Sequence, residues 1–560
     1  MSETGKVSRI YSNFRGVDFR GLEINLIRSP DALNMYKDYL QTESICTRPG
    51  LALHTEAGAP VYGVFQYKGA LLLHIGERLV KAEGGVLVPI FEGLAQRRSN
   101  SFVYNDIFYF MDGQQYLRYD GQNCAEVTGY VPTTTIGKSP EGGGETHEDV
   151  NLLSDYRINS FLSDGGSFVY YLDRVNIDND YAPEVTVNDE LVSAEEYEVD
   201  YEAGSITFLN AAPSAPDTDG QDNVFIKFKK AMSGYRSCIE RCTLVQVFDN
   251  RVFVSGNPDH PNMVWHCSLN DPTYWSDLDY YEEGMDDSPI SGLVAGNNAL
   301  WVFRQPSDAN TTVFYHTPVT DGEYGKIYPS AHSSVTTGCV GGAINFNDDI
   351  VFFSDRGMEG ISGDITTEQV LAHRSSLVDR KLLAEEAYRD MILCEWNGYL
   401  CVFIGKAVYL ADSRAMFQNV NHYEYEWFYW ELENAVQCAT VIDGVLYIGT
   451  AGGAYTLTDK EADLQSYWVT PLDKFQNPHR MKTTNKRGCV VEGTGTISVY
   501  AKTERTAFEL VGEYEDVTDF FVPRIKRKKF KDIQLKFYSD KRFSLETVTL
   551  ESYIGGYIKR

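Results

Sequence analysis

Long apolar runs are missing from the 560-residue chain: none approaches the roughly 18 uncharged residues of a membrane-spanning helix. Basic residues are in short supply. Fifty Lys and Arg face 79 Asp and Glu, a net charge of −29, which excludes a protein whose whole surface embraces nucleic acid. Cysteine is thin, with ten residues spread singly, several of them (Cys394, Cys401, Cys438) inside apolar strand runs. That density argues against a disulfide scaffold and for synthesis in a reducing cytoplasm. Met1 to Ile10 is polar and has no apolar core, so no secretory signal is visible. What is abundant is 13% aromatic residues, led by 37 Tyr, together with 47 Gly, a composition of short strands and tight turns. With 43% hydrophobic and 23% charged residues the chain can bury a large core.

The dominant pattern is a repeated unit: an apolar strand, an Asn/Asp/Gly turn, an aromatic-rich strand and a shorter third strand. Its turns fall at Lys68-Gly69, Asn105-Asp106, Asp249-Asn250, Asn297-Asn298, Asn347-Asp348, Asn397-Gly398 and Asp443-Gly444. Asn-Gly and Asp-Gly are strong hairpin signals because both central residues must tolerate positive φ. From Leu244 onward the units start about 46 to 51 residues apart, the spacing of four-stranded propeller blades. The expected fold is therefore all-β, a β-propeller of six or seven blades. A large sandwich with many hairpins is the alternative, and the spacing weighs against it.

Two further β-domains are expected. Residues 151–231 read as an inserted small β-sandwich between propeller segments 1–150 and 232–465, and from Asp173 to Asp222 it carries 14 acids against one base. Asp217, Asp219 and Asp222 flank Gly220 at a spacing that suits Ca²⁺, but the bidentate Glu of an EF-hand is missing, so a solvated acidic turn is the preferred reading. Residues 466–560 read as a C-terminal β-sandwich in which the charge flips: from Arg524 to Arg542, nine Lys and Arg face two Asp. A helix is expected from Thr366 to Tyr388, capped by Asp364 or Thr366, with Leu377 and Leu382 on its apolar face and packed on the propeller rim.

Catalytic signatures are weak throughout. Gly137-Lys138-Ser139 ends like a phosphate loop, but Pro132 stands where the first Gly must turn. Neither an esterase elbow nor a zincin motif occurs. Cys238 and Cys242 lack a second ligand pair, and His260, His266 and Cys267 around Trp265 lack a fourth ligand. Asp277, Asp279, Glu282, Glu283, Asp286 and Asp287 crowd together, yet a glycosidase needs two carboxyls facing each other across a sugar bond, and crowding in sequence does not supply that. Ser163-Asp164-Gly165-Gly166 loosely matches a sialidase Asp box without its Thr-Trp. No catalytic, cofactor-binding or metal-ligating residue is assigned. The basic stretch Arg524, Lys526, Arg527, Lys528, Lys529, Lys531 suits either a phosphate backbone or an acidic face of a neighbouring subunit, and the protein contact is favoured because the chain is so acidic.

Several phrases then resemble one family. Arg251-Val-Phe-Val-Ser-Gly256, Pro261-Asn-Met-Val-Trp265 and Asp271-Pro-Thr-Tyr-Trp275 come in order, followed by Phe352-Phe-Ser-Asp-Arg-Gly357. Asn34 with Cys46-Thr-Arg-Pro-Gly50 precedes them. Together they resemble tail nozzle, or tail hub (packaged-DNA stabilisation), proteins of short-tailed bacteriophages. The resemblance implies a non-enzymatic virion component made in the host cytoplasm. It would be a homo-hexameric tube below the portal-proximal adaptor ring, with tail fibre or needle proteins as further partners and packaged DNA passing through its lumen without specific binding. The basic residues above and the rim residues Leu377 and Leu382 are the expected contact surfaces. The rival expectation is a receptor-binding or carbohydrate-binding or carbohydrate-cleaving propeller.

Overall fold

A two-residue type I′ hairpin needs positive φ at both central residues, and all seven turns meet that demand. In the computed structural model the φ pairs are 48° and 77° at Lys68-Gly69, 48° and 60° at Asn105-Asp106, and 47° and 60° at Asp249-Asn250. They are 53° and 58° at Asn297-Asn298, 54° and 60° at Asn347-Asp348, 47° and 71° at Asn397-Gly398, and 50° and 79° at Asp443-Gly444. The structure describes residues 5–39, 44–216, 218, 220–307, 311–322, 325–362, 370–419, 422–460, 464–525 and 529–557. Each turn joins the first two strands of a four-stranded antiparallel sheet. These seven sheets are blades of the β-propeller type. They span residues 61–92, 100–126, 244–282, 290–332, 343–373, 392–431 and 436–458, and are numbered blades 1 to 7 in that order.

The chain divides into two units: Met1–Pro89 with Asn310–Val313 and Ser333–Arg560, and Ile90–Ala309 with Phe314–His332. In the first unit, blade 7 has only three strands of its own. Its fourth is Gly50–Glu56 from near the start of the chain, antiparallel to Gly453–Thr458. This strand exchange removes an open edge and ties distant parts of the sequence into one blade. Blade 6 contributes Tyr425, Trp427 and Phe428, all fully buried, to the core of this unit.

The insert is a β-sandwich, but it starts earlier than residue 151. Thr133–Lys138 pairs in parallel with Tyr156–Phe161, and both belong to a six-stranded sheet that also holds Val224–Lys229 and Glu184–Val187. A three-stranded sheet of Val169–Tyr171, Ser205–Phe208 and Tyr197–Asp200 accompanies it over a core that includes Phe161, Tyr170, Ile206 and Phe228. The Gly137-Lys138-Ser139 segment is thus strand and turn, not a phosphate loop.

The terminal domain also corrects the expected boundaries. Lys6–Ser12 and Ile45–Thr47 both pair with the last strand, Phe543–Tyr557, and Ala32–Leu33 pairs with Ser466–Val469. The N-terminal segment before Gly50, expected to go with the first part of the propeller, therefore contributes these strands to the C-terminal sheet, while Gly16–Val17 and Arg28–Ser29 form a two-stranded sheet of their own.

The expected helix Thr366 to Tyr388 is overturned. Val370–His373 is the fourth strand of blade 5, antiparallel to Gly357–Ser362, and among the described residues of this stretch only Asp379–Leu382 is α-helical, with a 3-10 turn at Tyr388–Asp390. Asp364 and Thr366 lie outside the described residues. Leu377, Val378 and Leu382 are all completely buried. Their apolar spacing reflects burial on every side rather than one face of an amphipathic helix, so Leu377 and Leu382 are core residues and offer no surface to a partner.

Candidate functional site

Of the basic stretch in the terminal domain, Arg524, Lys529 and Lys531 are described, and Arg524 lines a groove. Arg524 and Lys529 are exposed. Lys531 is half-buried, its backbone N–H donating to Glu504 Oε2 (2.9 Å) and its carbonyl accepting from Lys482 Nζ (2.7 Å). Lys526, Arg527 and Lys528 lie outside the described residues. Arg524 lines the groove together with Leu510, Val511, Ile525 and Phe530. Arg524 is the one cation of that lining, which also holds Glu509, Thr484, Thr503 and Thr506.

The crowded carboxylates of blade 3 are separated by folding. Glu283 is buried, with Oε1 2.9 Å from His316 Nε2, and its Oε2 accepts from Ser330 Oγ (2.8 Å). Asp286 accepts from Ser307 and Arg304, and these bonds hold its carboxyl down to about 2. Asp277 accepts from Tyr235 Oη at 3.3 Å, and burial raises its carboxyl. Asp277, Glu283 and Asp286 thus each have a separate local partner. Asp164 caps the backbone N–H groups of Gly166 and Ser167, an Asx turn rather than a sugar contact. Asp222 accepts from Ser160 Oγ and from Gly137 N (2.7 Å), whereas Asp217 and Asp219 lie outside the described residues.

Histidines and thiols of the sequence-proposed clusters serve packing. His266 is buried among Phe253, Tyr281 and Tyr328, with ring centroids 5.2, 5.8 and 5.6 Å away. Its Nδ1–H donates to the Cys267 carbonyl (3.1 Å), and burial pulls its imidazolium down to about 4. Cys267 Sγ accepts from Val252 N (3.1 Å). The thiols of Cys238 and Cys242 donate to the carbonyls of Gly234 and Cys238. Among the described residues no group of three or more metal-type ligands converges.

One site escaped sequence reasoning. In the first unit a cavity of about 580 Å³ is lined by Leu33, Asn34, Arg48, Leu51, Lys406 and Glu431, among others. Arg48 is 3% exposed. Its Nε donates to Asn34 Oδ1 (2.9 Å), Nη1 to the Pro49 carbonyl (2.8 Å) and Nη2 to the Glu431 carbonyl (3.1 Å). Burial draws the guanidinium down to about 10. Asn34, at φ 56°, also accepts from Glu431 N (2.9 Å) and donates Nδ2–H to the Gln465 carbonyl (2.8 Å). The two residues clasp the N-terminal segment, blade 6 and the approach to the terminal domain. Proximity of Asn34 to Thr-Arg-Pro-Gly50 in sequence was the available signal, but nothing local indicates that Arg48 is buried without an acid.

No protein-family model matches this chain, and no curated protein matches it. Among solved structures it is similar to BamB from Moraxella catarrhalis, at 10% identity and a TM-score of 0.32, covering 74% of this chain and 98% of that one. It is also similar to Hsv2 from Kluyveromyces marxianus (11% identity, TM-score 0.24, 67% of this chain and 98% of that one). An exo-beta-1,3-galactanase from Phanerochaete chrysosporium matches at 10% identity and a TM-score of 0.22, over 55% of this chain and 95% of that one. Among the described residues no helix is long and apolar enough to cross a membrane.

Proposed function

We propose that this chain is a non-enzymatic structural protein of a short-tailed bacteriophage virion, one subunit of a hexameric tail nozzle or hub. In this reading it sits below the portal-proximal ring, retains packaged DNA and conducts it during ejection. The observation that carries the proposal is the order of the phrases from Asn34 to Gly357, none of which is a catalytic motif. Trp275 is fully buried and donates Nε1–H to the Pro272 carbonyl (2.8 Å), while Asp271 accepts from Thr273 N (2.8 Å), so the Pro-Thr-Tyr-Trp loop is a packed plug. Asn34 and Arg48 form the clasp described above. Gly357 (φ 120°) leaves no room for a Cβ beside Asp379, Ser375 and His373. These are the roles of a scaffold.

Charge supports the same reading. A surface at −29 repels a polyanion, which suits a conduit through which DNA must slide without sticking. Arg524 and Lys529, both exposed, are the proposed contacts to an acidic face of a neighbouring subunit. The test is imaging of assembled particles with this chain located, alongside the mass of the purified protein in solution. Density on the tail axis and a hexameric or dodecameric mass are expected; a stable monomer that hydrolyses glycans would sink the proposal.

A further inference from the structure

We propose that the cavity beside Arg48 is a binding site for a single carboxylate carried on an apolar stem. The three hydrogen bonds of Arg48 all end on neutral oxygens, those of Asn34, Pro49 and Glu431. A guanidinium has five N–H donors, so two are left over. Among the described residues no carboxylate lies within ion-pair distance of it. Glu433, which opposes the effect of burial on the guanidinium, is exposed and also lines the cavity. Burying a cation without an acid is costly, and chains that do so normally present the charge to an anion. The fork of an arginine matches the two oxygens of a carboxylate.

The walls select within that class. A volume of about 580 Å³ lies in the range of small-molecule pockets. Leu33, Leu51, Leu432 and Leu464 form the apolar part of a lining that Asn434, Thr450 and Gln465 share. Lys406 stands against two carboxylates, Glu431 and Glu433, so beyond Arg48 the charged lining is net negative by one and has no surplus positive charge for a phosphate dianion. Arg48 is already oriented, because Asn34 is held from three directions, by Arg48 itself, Glu431 and Gln465. A bound carboxylate therefore finds its partner in place.

The carboxylate can come from a free organic acid or from the terminus of a polypeptide, and the test separates them. The intact protein is titrated, with thermal unfolding and calorimetry as readouts, against butyrate, against acetyl-Ala-Ala-Leu with a free carboxyl, and against inorganic phosphate. The amide of each organic ligand is the control. Saturable stabilisation by butyrate supports the free acid; stabilisation by the peptide acid alone supports a chain terminus. Equal responses to the amides, a stronger response to phosphate, or no response to either acid overturns the proposal. Arg48→Gln is expected to weaken binding roughly tenfold to a hundredfold. Leu51→Trp, which fills the cavity without touching the clasp, is expected to abolish binding in a protein that still folds. Undiminished binding in a folded Leu51→Trp protein would also overturn the proposal.

Discussion

Two histidines, one in each unit, are driven to opposite charge states by their surroundings. His373 in blade 5 has Nδ1 3.1 Å from Glu359 Oε1 and Nε2 2.7 Å from Asp379 Oδ2. Partial burial works against its charge, but the two carboxylates outweigh that and push it up to about 10. His266 in blade 3 has aromatic rings around it, and burial pulls it down to about 4. Both end a strand of a propeller blade, so the fold does not decide the proton; the partners do. The blade 5 site continues into a network of charge. Arg374 donates Nε–H to Asp349 Oδ2 (2.8 Å) and stacks 3.9 Å over Tyr423, and Arg28 makes a bidentate pair with Glu426 (2.8 and 2.7 Å). The surroundings of His373 are thus paired ions, those of His266 neutral rings.

The sharpest way to break this contrast is to remove one ion of the first unit. Arg374→Met leaves Asp349 buried and unpaired, and an expected loss of about 3–5 kcal/mol in urea unfolding follows. Conversion of both Asp349 and Arg374 to apolar residues is expected to recover most of that loss, as a double-mutant cycle will report.

Acid titration probes the other side. His266 binds its proton more weakly folded than unfolded, so its contribution is present above about 6.5 and is lost as pH falls through about 4, worth about 3 kcal/mol. Asp279, whose Oδ2 is 3.8 Å from His266 Nδ1, is raised by burial to about 6, so it gains a proton in the folded state where the unfolded chain has none. The two proton counts cancel between about 4 and 6, and the wild-type cluster is expected to leave stability nearly flat there. Asp279→Asn removes the compensation, so melting curves of that variant are expected to show acid lability over this window. A flat profile in the variant would show that His266 is not held neutral.

How far these features can be read without a structure depends on the range of the interactions that make them. Turns such as Asn297-Asn298 are set by two adjacent residues, and all seven were legible. The strand Val370–His373 takes its identity from Gly357–Ser362, and a local apolar period suggested a helix instead. Lys6–Ser12 belongs to the terminal domain because its partner is Phe543–Tyr557, about 540 residues away. The same limit hid the Arg48 cavity, which needs Leu33, Arg48, Glu431 and Leu464 brought together. It also hid the fates of Glu283 and Asp286, neighbours in sequence whose partners, His316 and Arg304, lie on other strands.

Smaller effects sharpen the contrast further. His373 keeps more protons folded than unfolded at neutral and alkaline pH, so its stabilisation is complete below about 6.5 and is lost as pH rises through about 10. Because its side chain is 25% exposed, solvent screening reduces the worth of the interaction, and His373→Gln is expected to cost about 1–2 kcal/mol near pH 7 and less at pH 10. A cost independent of pH would mean that packing, not charge, holds the site.

The smallest change in stability is expected where charge meets water. Arg524 and Lys529 are exposed, and truncation of either to Ala is expected to shift unfolding by no more than about 0.5 kcal/mol. Their effect belongs to assembly instead. If these residues face an acidic neighbour, Arg524→Ala with Lys529→Ala lowers the oligomeric mass seen by analytical ultracentrifugation, more so at high salt, while the melting temperature stays put. Unchanged assembly across the salt series would remove this surface from the proposed subunit contact, and would leave the buried ions of the first unit as charges that serve the fold alone.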